Sequence, residues 1–353
     1  MMINRVPSLD GLRAVSIALV ILGHATASMC PDSPICKGIF RGFLQGDLGV
    51  TMFFGISGYL ITMLLLNELN QTGTISIKNF YIRRAFRIWP AYYTYLGVII
   101  LFAAAGYISG PPLTYAAAAF YFWNYNFTGD PGTATWFLGH CWSLCVEEQF
   151  YLIWPVTLLS LGVQKARKLA IAIICLSPII RLLTYFCFTD NMVRGHIGMM
   201  LHTRADALMF GTLAAILSTS PTVLSFLEAS YKKQLPLFCA IYLFFIKPFV
   251  EIRGYSIAVG FTLDSAASVL ILMWAVQNPH TLVGRVLNSK IFCHIGAISY
   301  SLYLWQQAFL TTLNPTITGT FPLNVISVFI AAECSYFLIE RSFLRLRTKI
   351  APT

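Results

Sequence analysis

The stretch LDGLRAVSIALVILGHATA, Leu9–Ala27, has the length and apolar character of a helix that crosses a bilayer, yet it carries Asp10, Arg13 and His24. About 20 apolar residues suffice to span a hydrocarbon core of about 30 Å. Ionisable groups inside such a helix are costly, so they face partners or a polar cavity and by default mark a functional site. A secretory leader is the other reading, because Arg5 precedes the run and Ala25-Thr26-Ala27 resembles a small-residue cleavage site. Asp10 and Arg13, however, interrupt the segment that a leader keeps apolar.

The rest of the chain repeats the pattern. Of its 353 residues 57% are hydrophobic and only 11% charged, and apolar runs recur from end to end. This predicts an all-α integral membrane protein, since a helix satisfies its own backbone in lipid. Runs near 8–29, 46–67, 88–107, 141–163, 168–188, 203–219, 235–251, 256–276, 293–312 and 321–340 give a bundle of about ten transmembrane helices, forming a single domain over 1–353 with no fused soluble domain. A further apolar segment, 113–127, follows Gly110-Pro111-Pro112 and contains Asn124 and Asn126. It reads as a surface or re-entrant piece.

Basic residues set the orientation, because cytoplasmic loops collect Lys and Arg. Ten crossings place both termini in the cytoplasm, with Lys78, Arg83, Arg84, Arg87, Lys165, Arg167, Lys168, Lys232, Lys233, Arg285, Lys290 and the Arg341–Lys349 group on the inner side. Lys37, Arg41, Arg194, Arg204, Lys247 and Arg253 fall outside. Counting 113–127 as a crossing would put the Lys165–Lys168 loop outside. The net charge of +10 is then an orientation signal and a surface for anionic lipids of the cytoplasmic (inner) membrane; no nucleic-acid module is evident. Nine cysteines lie mainly in the spans as small core residues. Cys30 and Cys36 share the first outer loop, where a disulfide and two free thiols are equally open. Metal-ligand spacing, a phosphate-binding glycine loop and a nucleophile elbow are absent, so no metal is expected.

Polar groups gather in four clusters. Asp10 and Arg13 lie near the inner end of the first helix and His24 about 16 Å away in its outer half. His24 suits a general base, because imidazole titrates near neutrality; a ring bonded to a neighbouring helix for packing alone is the plainer alternative. Arg83, Arg84 and Arg87 sit at the inner end of the third span, equally suited to bidentate phosphate binding and to anchoring in the membrane surface. His140, Ser143, Glu147, Glu148 and Tyr151 open the fourth span, and a carboxylate beside His24 would orient its ring and stabilise its protonated form. The plainer reading, an interfacial helix-start charge, suits Glu148 better than Glu147. Arg204 and Asp206 start the sixth span, either paired with each other or holding the hydroxyls of an acceptor. Arg181, in mid-span, needs a buried partner that the sequence does not identify.

Six motifs in order carry a resemblance. They are Ser8–Arg13 with Leu22-Gly23-His24, Gly49–Leu60, the Arg84-x-x-Arg87 pair with Pro90, Trp142-Ser143-Leu144-x-x-Glu147-Glu148-Gln149-Phe150-Tyr151, Arg204-x-Asp206, and Ile298–Trp305. Together they resemble the acyltransferase 3 family of membrane-bound O-acyltransferases over nearly the whole chain. Thr51, Gln306 and the Glu340-Arg341-Ser342 ending depart from common family residues, which bears on substrate detail more than on chemistry.

The resemblance implies transfer of an acyl group, most often acetyl, from acyl-CoA to a hydroxyl, commonly on a glycan, with no bound cofactor. It implies His24 as general base with Glu147, Arg13 and Asp10 as the other catalytic groups. Arg84, Arg87, Arg83 and Ser57 would hold the acyl-CoA, and Asp206, Arg204, His140, Ser143 and Tyr151 the acceptor. Some members carry a fused extracytoplasmic hydrolase-like domain; without one, the membrane domain or a separate partner must complete the transfer. Direct attack and a ping-pong route through an acyl-histidine or acyl-serine, at Ser57 or Ser143, are both open. So are a small hydroxylated acceptor such as a macrolide and, in another class, a transporter or flippase for a lipid-linked sugar.

Overall fold

The computed structural model describes residues 7–29, 33, 38, 44–126, 132–250, 254–311, 313 and 316–350, and every regular element among them is helical. Cys30 and Cys36 lie outside these residues. The long helices are α1 (Pro7–Met29), α2 (Gly46–Thr72) and α3 (Ile77–Ala104). Two short helices, α4 (Pro112–Ala119) and α5 (Ala134–Gly139), lead to α6 (Cys141–Cys187). Then come α7 (Asn191–Gly195), α8 (Leu201–Leu217), α9 (Pro221–Lys232), α10 (Leu235–Ile241) and α11 (Phe261–Gln277). The chain closes with α12 (Leu282–Leu287), α13 (Lys290–Ala297), α14 (Ser299–Phe309), α15 (Leu323–Ser335) and α16 (Arg341–Ile350).

Among the described residues six helices are long and apolar enough to cross a membrane, or seven if the α8–α9 pair, bent by 113°, is one span. The ten expected runs are therefore not ten continuous helices. The runs 141–163 and 168–188 both lie in α6, which is broken at Gly162 (φ 71°, ψ 163°), a conformation that glycine adopts without a Cβ clash. At about 1.5 Å per residue, α6 is more than twice the thickness of a hydrocarbon core. The run 235–251 breaks after α10 into a π-helical turn, Tyr242–Ile246, and a 3-10 turn, Lys247–Phe249, around Pro248. The run 293–312 splits at Ile298 into α13 and α14. Among its described residues, 113–126, the segment 113–127 holds α4 and a 3-10 turn, Trp123–Tyr125, both too short to cross.

Polarity is arranged inside out. Leu101, Phe186, Leu338 and Ile291 are at least 70% exposed, whereas Arg181, Arg204, Asp206, His140 and Gln306 are buried. An outer surface of bare Leu, Ile and Phe is what lipid contact demands. Packing between helices relies on small residues, as expected where lipid removes the hydrophobic drive. The tightest crossing joins α2 to α8, where a Cβ on Gly58 would lie 2.0 Å from the Leu208 carbonyl oxygen and one on Gly211 2.0 Å from that of Gly55. Against α1, α2 runs antiparallel: Gly23 meets Leu44 and Gly46, and Gly49 meets Ser16. That register places Ser57 at the level of Asp10–Arg13, near the opposite end of α1 from His24.

Candidate active site

Polar residues gather at the two ends of α1, and the group at its N-terminal end, the inner group by its place on that helix alone, draws on four helices. Ser57 of α2 donates to Glu147 Oε1 of α6 at 2.6 Å, and the Tyr151 hydroxyl donates to Ser57 Oγ at 3.1 Å. The Arg84 guanidinium of α3 lies 5.5 Å above the Tyr151 ring and 5.7 Å from that of Phe80, a cation–π arrangement that steadies a long side chain. Arg13 of α1 pairs with Asp10 at 3.4 Å and is within coulombic reach of Arg87 and Glu147. Glu147 in turn feels both Arg13 and Arg84. Arg87 also faces the buried Glu340. Arg13, Arg84, Arg87 and Glu147 all remain partly accessible, so three guanidinium groups and one carboxylate gather without being sealed off.

Arg83 departs from expectation. Its Nη2 bonds Glu68 Oε2 at 2.9 Å, and Glu68 Oε1 accepts the Ser76 backbone N–H at 2.8 Å. Arg83 thus braces the α2–α3 turn while Arg84 and Arg87, one helical turn apart, point to the inner group. Tyr151 also moves: expected beside an acceptor, it belongs with Ser57 and Arg84.

The outer group forms around the far end of α1. His24 is half-buried, meets the Trp136 ring edge-on with centroids 6.1 Å apart, and faces the side-chain amide of Gln306. His140, at the α5–α6 junction, is within coulombic reach of His24. Its Nδ1 lies 2.7 Å from Gln307 Oε1, and its carbonyl lies 3.2 Å from Ser143 Oγ and 3.1 Å from the Tyr303 hydroxyl. Ser143 and Tyr303 lie 2.6 Å apart, so one hydroxyl donates to the other and the second to the carbonyl. His24 Nδ1, His140 Nε2, Trp305 Nε1 and both polar atoms of Gln306 are buried without a hydrogen-bond partner. Buried polar atoms are ordinarily paired, so this concentration of them marks a place built to meet something polar.

The expected companion of His24 is corrected here. Glu147 hydrogen-bonds Ser57, and the antiparallel register of α1 and α2 keeps that carboxylate at the inner level. The groups beside His24 are instead Gln306, Trp136 and His140. Gln307 and Trp136 escaped the sequence reading, although two adjacent glutamines in the apolar run 293–312 carry the same signal of a costly buried polar group as His24 does.

Arg181 finds its partner in Asp206, Nη1 to Oδ2 at 2.9 Å, with both side chains fully buried. Its remaining donors reach the carbonyls of Ile257 and Thr203 and Thr262 Oγ1. Asp206 also accepts from Thr262 at 2.6 Å and from the Ala207 backbone at 3.0 Å. Asp206 is therefore not paired with Arg204, and both its oxygens are engaged rather than open to an acceptor. Arg204 instead donates to Thr51 Oγ1 at 2.7 Å and lies 4.3 Å from the Phe261 ring centroid.

A family model described as an acyltransferase domain matches residues 6–340. The chain belongs to the acyltransferase 3 family. It is 30% identical to the peptidoglycan O-acetyltransferase OatA of Listeria monocytogenes over 95% of this chain and 55% of that protein. To the O-acetyltransferase OatA of Staphylococcus aureus it is 29% identical over 95% of this chain and 56% of that protein. The chain thus spans little more than half the length of these curated relatives. No solved structure matches it. Membership of this acyltransferase 3 family leaves the transporter reading without support.

Proposed function

We propose that this protein transfers an acetyl group from acetyl-CoA to a hydroxyl of a glycan. The observation that carries the reading is the pairing on one helix: accessible guanidinium groups around Arg13 at one level of α1, and an imidazole site around His24 about 16 Å along the axis. Arg84 and Arg87 hold the phosphates of the donor, whose extended arm runs between the helices toward His24. There His24 takes the proton of the acceptor hydroxyl, and the oxygen attacks the thioester carbonyl carbon. The carbon–sulfur bond breaks and the coenzyme thiolate takes the proton from His24. Arg13 steadies the arm, with Asp10 holding Arg13. Ser57 and Glu147 line the donor side.

Ten crossings with both termini cytoplasmic accommodate this arrangement, with α6 as two limbs about Gly162 and the broken segments packed against protein. The distribution of basic residues supports putting Arg84 and Arg87 on the cytoplasmic side, where acetyl-CoA is made, and the protein in the inner membrane. A glycan is favoured over a macrolide-like alcohol because the Listeria relative bears a peptidoglycan name. Peptidoglycan is the first acceptor to try. The test is transfer of labelled acetyl from acetyl-CoA to glycan fragments by purified protein in nanodiscs. Transfer that depends on His24 supports the reading, and equal transfer by His24→Ala sinks it.

The 2.6 Å bond from Ser57 to Glu147 supports a second route, in which Glu147 activates Ser57 as an acyl carrier. Mass analysis after exposure to donor alone separates the two, since direct attack leaves the protein unmodified.

A further inference from the structure

Gln307 engages His140 through two bonds to one atom. Its Oε1 accepts the His140 backbone N–H at 3.0 Å and lies 2.7 Å from the ring Nδ1. A backbone N–H only donates, so the amide atom facing it is the oxygen, which fixes which way the Gln307 side chain is turned. An amide oxygen only accepts, so Nδ1 carries the ring hydrogen. In the neutral ring Nε2 is then left with a lone pair and no proton. That atom is buried and makes no hydrogen bond of ordinary geometry, although the Leu304 carbonyl also faces the ring.

The rest of the residue is held as well. The Tyr95 and Tyr303 rings meet the imidazole edge-on at 5.4 and 5.5 Å, and the His140 carbonyl is fastened by Ser143 and Tyr303. Gln307 is fixed in its turn, because its own carbonyl accepts the Trp136 indole N–H at 3.1 Å. Trp136 is the side chain against which His24 packs. One turn of α14 therefore connects both imidazoles, Gln306 facing His24 and Gln307 fastening His140.

We propose that Gln307 is a positioning residue that locks His140 as the Nδ1–H tautomer, so that Nε2 accepts a hydrogen bond from the acyl acceptor. The donor is a hydroxyl other than the one His24 deprotonates. This rests on the outer group being where transfer occurs. It makes the site selective for acceptors with more than one hydroxyl, as a sugar has, because a buried acceptor atom left unpaired is penalised.

The test uses the full chain in nanodiscs with 15N-labelled histidine, comparing wild type with Gln307→Leu and Gln307→Glu. Glutamate keeps an oxygen that accepts both hydrogen bonds; leucine keeps the volume and accepts none. In the wild type the His140 resonance, identified by its loss in His140→Ala, is expected to show the Nδ1–H form. Gln307→Leu should lose that single form and raise KM for the glycan acceptor by about tenfold or more, the loss of one buried hydrogen bond. KM for acetyl-CoA should stay within about twofold. Gln307→Glu should restore both the tautomer and the acceptor KM. An Nε2–H tautomer in the wild type, an unchanged acceptor KM in Gln307→Leu, or equal damage from the two substitutions would each overturn the proposal. A wild type that transfers no acetyl would instead overturn the acetyltransferase reading, with the tautomer still decided by the spectrum.

Discussion

Arg181 with Asp206 and Arg84 with Glu147 look alike in sequence, each an arginine and a carboxylate inside or entering an apolar run, yet the fold treats them in opposite ways. The first pair is fully buried, in direct contact, and surrounded by Thr262, Thr203 and Ile257 that take up the remaining donors. The second pair stays partly accessible: the carboxylate accepts from a serine, and the guanidinium lies over an aromatic ring. A closed, saturated pair can stabilise helix packing but has nothing left to offer a ligand. An open, incompletely paired group costs stability and keeps its charge available. Location in a membrane helix marks an ionisable residue as costly; saturation tells whether it is structural.

The widest separation between the two kinds of group should come from His24. His24→Ala is expected to lower acetyl transfer by about 10²- to 10⁴-fold, the usual worth of a positioned general base, with thermal stability in detergent close to wild type. Transfer within about twofold of wild type would remove His24 from the chemistry. Asp206→Ala should do the reverse. Leaving Arg181 buried and alone costs about 3–5 kcal/mol, visible as a lower Tm and poor recovery of folded protein. Converting both Arg181 and Asp206 to leucine should regain much of that loss; if the double variant is no better than the single one, the pair is not a simple structural unit.

Removing donor contacts should have a smaller effect, confined to one substrate. Arg84→Ala/Arg87→Ala is expected to raise KM for acetyl-CoA by roughly 10- to 100-fold, since hydrogen bonds to charged groups are worth about 1.5–3 kcal/mol, with little change in Tm. Arg83→Ala, by contrast, should leave acetyl-CoA affinity within about twofold, because Arg83 is committed to Glu68. Equal effects from Arg83 and Arg84 would erase the distinction between a brace and a binding group. Ser57→Ala should be mildest, below about tenfold in transfer, as befits one neutral donor to a carboxylate. A loss as deep as that of His24→Ala, together with an acetylated Ser57 in the wild type, would favour the acyl-serine route.

Much of this was legible from hydropathy. The apolar runs gave a helical membrane chain, and Asp10, Arg13, His24, Arg84, Arg87, Glu147 and His140 stood out because each is expensive where it lies. The short segment 113–127 also reads as something other than a crossing, from the Gly110-Pro111-Pro112 before it and from its asparagines. The breaks at Gly162, Pro248 and Ile298 are not legible, since an apolar run keeps the same mean hydropathy whether its helix is whole or interrupted. Gln307 gives little signal in the sequence, because apolar residues such as Leu304 and Phe309 dominate its run. Its importance comes from one hydrogen-bond geometry with a residue 167 positions away.

The sequence by itself determined the solvent this chain folds in, the helical class and the family, because hydropathy and the order of motifs are properties of the chain alone. Only the tertiary structure decided which groups share a level and which are partners. Depth says nothing of the direction in which a side chain points around its helix, and that direction is fixed by packing against several others. So Glu147 meets Ser57 rather than His24, Asp206 meets Arg181 rather than Arg204, and His140 is held by a glutamine on α14.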